Sequence, residues 1–419
     1  MKKTTAFLTA LITAAALSLP SNAFAAAAGA KASFGGEKEG VWTIFVYMCG
    51  SDLESYGAAA TMDLIEMMDS AMGDNARFIV ETGGAQDWYS NVSRNHIERY
   101  EITKKGGYRV GVLSQSNMGE SGTLADFISW GINNYSSEHM GLVFWDHGSG
   151  SINGACFDEL YSYDSLYLPE IQAALEQSIG KTDKRFDFIG FDACLMATLE
   201  TGLMLESYAD YMIASEETEP GVGWYYTNWL TSLSKNTSMP TIEIGQKIVD
   251  DFVDVCAQRC RGQKTTLSVV DLAELQETIP EKLSAFASSA SELIQNDQYQ
   301  TVSNARYNTR EFAQSSKIDQ VDLVHLAQNL NTTEAKQLTL AIKSAVKYNR
   351  TSSNMTNANG ISIYFPYRST KYVNTILNTY NDIDMNEDYS QVVRNFATYQ
   401  TSGQVSSGGS HSAYQSYGG

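Results

Sequence analysis

Two apolar segments of this chain each end abruptly in polar, reactive residues. The first, GLVFWDHG at residues 141–148, ends around His147, and the second, FDFIGFDAC at residues 186–194, ends in Cys194. Unbroken apolar runs of this length are typical of parallel strands buried on both faces. Because open α/β sheets bind ligands beyond the carboxyl ends of their strands, we expect an α/β fold that brings His147 and Cys194 together.

The order and spacing of these two residues indicate a class of chemistry. Taken singly, a cysteine after an apolar strand is usually a core residue, and a histidine in that position usually caps the strand end. However, His147 precedes Cys194 by 47 residues, and caspase-like cysteine peptidases place their histidine roughly 50 residues before the cysteine. A Cys194 thiolate could attack a peptide carbonyl while His147 handles protons. A predicted helix over residues 195–208 would favour the thiolate through its amino terminus.

Neighbouring residues predict further parts of this site. The backbone N–H groups of Gly148 and Cys194 are candidates for an oxyanion hole, since a glycine lets the backbone approach a substrate closely. Asp146 is a poor candidate for orienting the His147 ring, because adjacent residues of a strand point to opposite faces. No third catalytic residue is evident from the sequence.

Asp192 lies two residues before Cys194 and is expected on the same side of the strand. A carboxylate beside the nucleophile would raise the pKa of its thiol unless a positive charge compensates. A substrate Arg or Lys would supply that charge, so we interpret Asp192 as the group that binds a basic side chain. The alternative is a structural carboxylate that accepts hydrogen bonds from loop amides.

The rest of the chain alternates strand-like and helix-like segments, which predicts a mostly parallel sheet covered by helices on both faces. We expect a catalytic core over residues 41–235 and a C-terminal helical region with further strands over 236–400, packed on the core. Predicted strands include residues 41–47, 77–82, 95–102, 108–113, 210–215, 266–270 and 361–365. Predicted helices include residues 58–70, 121–133, 168–179, 242–260 and 272–295, and residues 149–167 are expected to be irregular.

Both ends of the chain differ from the middle in composition. Lys2 and Lys3, an apolar run and a small-residue site at Ala25 predict a signal peptide over residues 1–25 and export of the protein. A membrane anchor is the alternative, but the run is shorter than the ~20 residues that span a bilayer. Residues 26–40 are expected to be flexible, and the Ser/Gly-rich tail 401–419 is expected to be disordered.

The net charge of −19 disfavours nucleic acid and anionic membranes as partners. It would attract basic polypeptides, although acidity also simply keeps an exported protein soluble. The five cysteines are too few for a disulfide scaffold, and their odd number leaves at least one thiol unpaired. Polypeptide substrates are therefore the expected partners.

Two clusters could hold a metal ion. Cys256 and Cys260 are spaced to share one face of a helix, where metal binding competes with ordinary packing or a local disulfide. Asp382, Asp384, Asn386 and Asp388 alternate as calcium ligands do, but the segment lacks the glycine and glutamate of a calcium loop. We expect no required cofactor, with calcium as a possibility.

The chain resembles a known family, the clostripain family of caspase-like cysteine peptidases. The diagnostic segments are WDHG at residues 145–148 and GFDAC at 190–194. Further matching segments between about residues 41 and 370 are YMCGSDLE at 47–54, NMG at 117–119, TLADFI at 123–128, SEET at 215–218, PGVGW at 220–224 and GISIYFP at 360–366. The resemblance implies a caspase-like α/β/α sandwich, a His147–Cys194 dyad and preference for Arg or Lys, with Asp192 in the pocket.

Three features depart from the family pattern. Val222 stands where relatives often carry an acidic residue, so Glu217 or Glu219 would have to substitute for it. His147-Gly148 is followed by Ser149 instead of a longer glycine run. Relatives can also mature by cutting themselves after a basic residue between the histidine and the cysteine, but residues 110–180 contain no Lys or Arg. We therefore predict a single-chain enzyme, or one that is processed elsewhere.

Together these features predict an exported cysteine endopeptidase that cuts after Arg or Lys. One alternative is the same dyad with a different side-chain preference. The other is a catalytically silent caspase-like fold that binds proteins, which the intact His147 and Cys194 segments disfavour.

Overall fold

A computed structural model of the 419-residue chain describes residues 24–25, 40–70, 72–367 and 369–401. Ten strands form one mixed sheet whose five central members, β3, β2, β6, β9 and β10 below, run parallel. In order across the sheet the strands are β1 (Phe24–Ala25), β5 (Gly106–Ser114), β4 (His96–Thr103), β3 (Ala76–Gly83), β2 (Trp42–Cys49), β6 (His139–Trp145), β9 (Phe186–Asp192), β10 (Ala209–Ala214), β11 (Thr266–Asp271) and β13 (Val346–Thr351). Two small antiparallel sheets pair β7 (Ala155–Asp158) with β8 (Asp164–Leu166) and β12 (Gln320–Asp322) with β14 (Ser362–Tyr364).

Helices bury both faces of the sheet. One face is covered by α2 (Ala59–Asp69), α7 (Tyr226–Lys235) and α8 (Thr241–Arg259). The opposite face is covered by α3 (Ser121–Tyr135), α5 (Leu168–Gln177), α6 (Leu199–Leu205), α9 (Leu272–Leu293), α10 (Tyr299–Tyr307), α11 (Leu323–Leu330), α12 (Thr333–Ala345), α13 (Val373–Asp382) and α14 (Glu387–Thr401). The short helices α1 (Ser51–Gly57) and α4 (Gly150–Asn153) follow β2 and β6 at the carboxyl edge of the sheet. The predicted α/β/α sandwich with a mostly parallel sheet and C-terminal helices is confirmed.

The central strands are buried on both faces, as their apolar sequences predict. Every residue of β2 and β3 is buried, and so is β6 after its first residue. The helices pack their apolar stripes on this surface; in α3, for example, Leu124, Phe127, Ile128 and Ile132 are buried. A parallel sheet of this kind can only be stable when both faces are covered.

Two segments near the site differ from the prediction. The helix expected over residues 195–208 begins only at Leu199, because Leu195 adopts φ +70° and Thr198 is extended before its side chain caps the helix. The segment 149–167, expected to be irregular, contains α4 and the β7–β8 hairpin. A single sequence gives little warning of such short elements, since each is held by contacts with distant parts of the chain.

The C-terminal half joins the same sheet and reaches the site. Strands β11 and β13 extend it with antiparallel pairing beyond β10. The Gln320 amide of β12 donates to the carbonyl of Leu195 at 2.9 Å, directly after Cys194. The predicted signal peptide, flexible start and disordered tail fall on residues outside the described ranges, apart from Phe24–Ala25, Gly40 and Thr401. In the described chain, no helix is both long and apolar enough to cross a bilayer.

Candidate active site

His147 and Cys194 follow the ends of two neighbouring strands, β6 and β9. In the β6–β9 pair Trp145 lies opposite Asp192, and the N–H of Asp146 donates to the carbonyl of Asp192 at 3.3 Å. His147 and Cys194 each lie two residues beyond this pair. Both predicted dyad members therefore follow adjacent strands at the carboxyl edge of the sheet.

Gly148 packs directly against the backbone of Cys194. A Cβ atom added to Gly148 would lie 2.0 Å from the Cys194 carbonyl oxygen, a distance that no side chain tolerates. The glycine is thus required because two backbones approach closely at the site. This closeness keeps the Gly148 and Cys194 backbones next to one another.

The side chain that orients His147 is Asp52, which sequence reasoning did not single out. Its Oδ1 atom lies 2.6 Å from Nε2 of His147. Asp52 lies at the start of α1, directly after β2, which pairs with β6. Ser51 adopts φ +50° at this point, and non-glycine residues held in the left-handed region often mark functional sites. The available signal was a polar residue just beyond the carboxyl end of a strand adjacent to β6.

The contact between Asp52 and His147 shifts the pKa of each residue in the direction that favours its charged form. Burial lowers the pKa of His147, but the hydrogen bond that its ring donates to Asp52 and the charges of Asp146 and Asp52 outweigh this effect, so the pKa of His147 is raised overall. Burial raises the pKa of Asp52, yet the contact with His147 outweighs that effect and lowers it. Asp52 therefore stabilises a protonated His147 ring.

The carboxylate of Asp146 binds the backbone of the segment that follows His147. Its carboxylate accepts a hydrogen bond from the N–H of Phe157 in β7. Burial raises the pKa of Asp146 to about 8. Asp146 thus links the end of β6 to β7.

Cys194 is not at a helix amino terminus, so the expected dipole effect on its thiol is wrong. Its Sγ accepts a hydrogen bond from the N–H of Glu219 at 3.2 Å. Burial, followed by the charge of Glu219, raises the pKa of Cys194 to about 12, with Glu217 and Asp192 contributing in the same direction. Since the surroundings disfavour a free thiolate, ionisation of Cys194 requires a nearby proton acceptor.

Asp192 lies in a buried polar pocket on the face of the sheet that carries α2, α7 and α8. Only 5% of its surface is exposed. Its Oδ1 accepts from the N–H of Trp224 at 3.0 Å and its Oδ2 from the hydroxyl of Tyr226 at 2.9 Å. Burial raises the pKa of Asp192 to about 6, although these two hydrogen bonds oppose the shift. Asp192 thus accepts a hydrogen bond from a loop amide, as a structural carboxylate would. It also lies two residues from the proposed nucleophile.

The structure separates the three other predicted pocket residues. Glu219 lies beside Asp192, with its two carboxyl oxygens buried. Glu217 is directed elsewhere: it pairs with Lys264 at 3.1 Å and accepts from the N–H of Ala313 at 2.8 Å. Val222 packs against the apolar core of this face. Glu219 is therefore the candidate that supplies a second carboxyl next to Asp192.

Two further carboxyl groups come from α2, and no sequence pattern singled them out. Asp63 accepts a hydrogen bond from the indole N–H of Trp145 at 2.6 Å, and its pKa is raised first by burial and then by the charge of Asp192. Glu66 accepts from the N–H of Tyr226 at 3.1 Å and has its pKa raised by burial to about 7. The pocket around Asp192 is therefore strongly acidic.

The residues considered for metals are placed elsewhere. Cys256 is buried in α8 and Cys260 caps the end of that helix, both as free thiols. Asp388 contacts the hydroxyl of Ser284, and Asn386 accepts from the N–H of Tyr389 at the start of α14. Across the described residues, no three His, Cys, Asp or Glu side chains form a group suited to a metal ion.

Comparison with known proteins agrees with this geometry. The sequence model of the clostripain family matches residues 46–403, a range that includes His147, Cys194, Asp52 and Glu219. The chain belongs to the clostripain family. Clostripain family members are cysteine peptidases, so the chain is placed among these enzymes by the match.

Individual relatives are more distant. Clostripain from Hathewaya histolytica is 29% identical over 130 residues, which cover 27% of this chain and 24% of that protein. The match therefore spans about a quarter of that relative's length.

Two solved structures resemble the fold over most of the chain. The first is a secreted C11 cysteine protease from Bacteroides thetaiotaomicron in complex with an irreversible peptide inhibitor, with a TM-score of 0.58, 20% identity, and coverage of 82% of this chain and 99% of that one. The second is an inactive zymogen C11 protease from Parabacteroides distasonis, with a TM-score of 0.62, 17% identity, and coverage of 82% and 97%. At these identities the likeness concerns the fold.

Proposed function

We propose that this protein is an exported cysteine endopeptidase that cuts polypeptides after Arg or Lys, with Cys194 as nucleophile and His147 as acid and base. The observation that carries the proposal is that His147 and Cys194 each follow by two residues the pair Trp145–Asp192, at which the neighbouring strands β6 and β9 end. Membership of the clostripain family supports the same chemistry.

The proposed reaction starts with proton transfer from Cys194. Because Nε2 of His147 is hydrogen-bonded to Asp52, we assign the proton exchange with Cys194 to Nδ1. The S–H bond of Cys194 breaks, its proton moves to the ring, and the sulfur attacks the scissile carbonyl carbon. Asp52 stabilises the imidazolium that forms, which is the role of the third member in a triad.

The later steps use the same groups. His147 returns the proton to the leaving amine, and the acyl-enzyme is then hydrolysed by water that His147 deprotonates. The backbone N–H groups of Gly148 and Cys194, two residues whose backbones pack together, are proposed to stabilise the oxyanion. Loss of one such donor typically costs roughly 100-fold or more in rate.

The proposed preference for Arg or Lys rests on the acidic pocket. Asp192 and Glu219 are buried next to the nucleophile, and Asp63 adds a third carboxyl group behind them. A buried carboxylate without a counter-charge is costly, so the pocket suits a cationic side chain better than a neutral one. Glu219 would supply the acidic group that relatives often carry at the position of Val222.

The proposed export rests on the predicted signal peptide, which would be removed near Ala25. No cofactor is part of the proposed mechanism, and any calcium requirement is a question for the same assay. The competing possibilities are a different side-chain preference and a silent binding protein.

The test uses mature protein from Ala26 onward beside a Cys194→Ala variant. Both are given fluorogenic peptides ending in Arg, Lys, Asn, Asp or Leu, with calcium or with a chelator. Cleavage after Arg and Lys that disappears in the variant is the expected result. Cleavage after a neutral residue would overturn the pocket assignment and keep the dyad. A folded protein that cleaves no peptide and whose Cys194 resists a thiol-reactive peptide would overturn the enzyme itself.

A further inference from the structure

Asp192 and Glu219 form a buried pair of carboxyl groups in an unequal environment. Asp192 accepts two hydrogen bonds, from the N–H of Trp224 and the hydroxyl of Tyr226. Both oxygens of Glu219 are buried without a hydrogen bond of ordinary geometry and face the Asp192 carboxyl and the Trp224 indole. A fully buried carboxyl group in this position is costly when charged.

The charges around this pair offer no compensation. In the described part of the chain neither Asp192 nor Glu219 forms an ion pair, since Arg259 pairs with Glu66 at 3.7 Å and Lys264 with Glu217 at 3.1 Å. The titratable groups around the pair, taken over β9, α2, the loop before α7, α7 and α8, are Cys194, Asp63, Glu66, Glu217, Tyr226, Cys256 and Arg259. Most of them are acids, so the pocket is short of positive charge.

Two adjacent carboxylates in such a site cannot both ionise easily, because their repulsion is poorly screened. Burial, followed by the charge of Asp192, raises the pKa of Glu219 well above its ordinary value. Burial raises the pKa of Asp192 to about 6, and the contact with Glu219 opposes that shift. These opposite effects are those expected when one member of a pair keeps a proton and the other is charged.

We propose that Asp192 and Glu219 share one proton while the pocket is empty, and that the positively charged side chain of a substrate displaces this proton when it binds. This inference rests on the proposed preference for Arg or Lys. The exchange is balanced: the empty pair carries one negative charge, and the occupied pair carries two, offset by the substrate cation. The displaced proton leaves to the solvent.

The exchange makes selectivity depend on pH. A neutral side chain cannot replace the proton, so its binding is insensitive to the ionisation of the pair. For a cationic side chain, each unit rise in pH strengthens binding by up to about tenfold until the pair is fully ionised. The preference for Arg over a neutral isostere therefore grows with pH and then levels off.

The experiment measures proton release in the Cys194→Ala protein by isothermal titration calorimetry. One peptide ends in Arg and its matched control ends in citrulline, which has nearly the same shape without the charge. Titrations at pH 7 in buffers of different ionisation enthalpy give the number of protons released for each peptide bound. We expect up to one proton for the Arg peptide and none for the citrulline peptide.

Two variants complete the test. Glu219→Gln keeps the N–H that contacts Cys194 but removes the second acid, so Arg binding should release no proton and lose its dependence on pH. Glu277→Gln, on the exposed face of α9, should behave as the parent. Arg binding without proton release in the parent, or release that survives Glu219→Gln, would overturn the shared proton and leave the proposed function intact. Equal binding of both peptides at every pH would instead overturn the basic preference itself.

Discussion

Oδ1 of Asp52 lies 2.6 Å from Nε2 of His147, although the two residues are 95 positions apart in the chain. The contact exists because β2 and β6 are neighbours in the sheet and both end at the same edge. It fixes the orientation of the ring and raises the pKa of His147 despite the burial that would lower it. Asp52 is therefore the positioning residue for the proposed acid and base.

Replacement of Asp52 by Asn should lower kcat/KM roughly 100-fold or more, by analogy with the loss of the orienting carboxylate in other triads. The pH profile should change as well. Because the pKa of Cys194 is about 12, His147 loses its proton first as the pH rises, and the acid limb of kcat/KM reports the pKa of His147. In Asp52→Asn that pKa falls, so the acid limb should move to lower pH.

The matched control is Asp87→Asn, which removes an exposed carboxylate paired with Arg94 on the surface. Surface pairs contribute little, so this variant should keep both the rate and the acid limb of the parent. An Asp52→Asn enzyme with an unmoved acid limb would show that Asp52 does not set the ionisation of His147.

Gly148→Ala should abolish activity through a steric conflict. The new Cβ would meet the Cys194 carbonyl oxygen at 2.0 Å, so one of the two backbones must move. We expect a loss of kcat/KM of roughly 100-fold or more, since displacement of one oxyanion donor alone costs that much, and a fall in stability of about 1–3 kcal/mol. Gly122→Ala, in the open first turn of α3, should leave activity unchanged. Kinetic assays and urea unfolding of both variants make the comparison, and an active Gly148→Ala enzyme would contradict it.

Much of the fold followed from local patterns in the sequence. The apolar runs predicted the buried strands, and their carboxyl ends correctly located His147 and Cys194 at one edge. Asp192 could be placed beside Cys194 because strand alternation fixes residues two apart on the same face. These are short-range rules, and they held wherever neighbouring residues decide the conformation.

The features of the site that the sequence did not predict depend on contacts between distant segments of the chain. Asp52 reaches His147 only because β2 pairs with β6, and Asp63 reaches the pocket from the next helix of the chain. The start of α6 was misplaced because Leu195 is held by Glu217, whose carbonyl accepts its N–H, and not by helical hydrogen bonds. Consequently, the sequence located the reactive residues that directly follow a strand. The ionisation of these residues could not be predicted, because it depends on side chains from distant segments.

Glu216→Gln should flatten the dependence of stability on pH. Glu216 accepts from the N–H of Gly360 at 2.8 Å and is buried with Asp322, whose pKa is raised by burial to about 6. A carboxyl pair with raised pKa values stabilises the fold fully below the unfolded-state pKa, and this contribution is lost as the pH rises through about 6 and above. Relative to the parent, the variant should therefore be more stable at pH 8 than at pH 5 by about 1–3 kcal/mol. Urea unfolding at both pH values measures the difference, and parallel curves for parent and variant would exclude a proton held by this pair.

The active enzyme should remain uncut between residues 148 and 180. Residues 110–180 contain no Lys or Arg, so a peptidase that requires a basic residue finds no bond to cut there. The segment after His147 is also tied to the body of the protein, since the N–H of Cys156 donates to the His147 carbonyl at 3.2 Å. Incubation of the purified mature enzyme, followed by gel electrophoresis and amino-terminal sequencing, should give no fragment that starts between residues 148 and 180.

The same idea has a positive test at Tyr161, which is 39% exposed and lies in the connection between β7 and β8. Tyr161→Arg places a basic residue at this exposed position and should create a new cut after residue 161. Tyr161→Gln and Tyr161→Arg combined with Cys194→Ala should both stay intact, because one lacks the charge and the other lacks the nucleophile. A new fragment in the Gln variant would mean that exposure, and not the cationic side chain, selects the bond. A cut between residues 148 and 180 in the parent enzyme would refute the prediction for that segment.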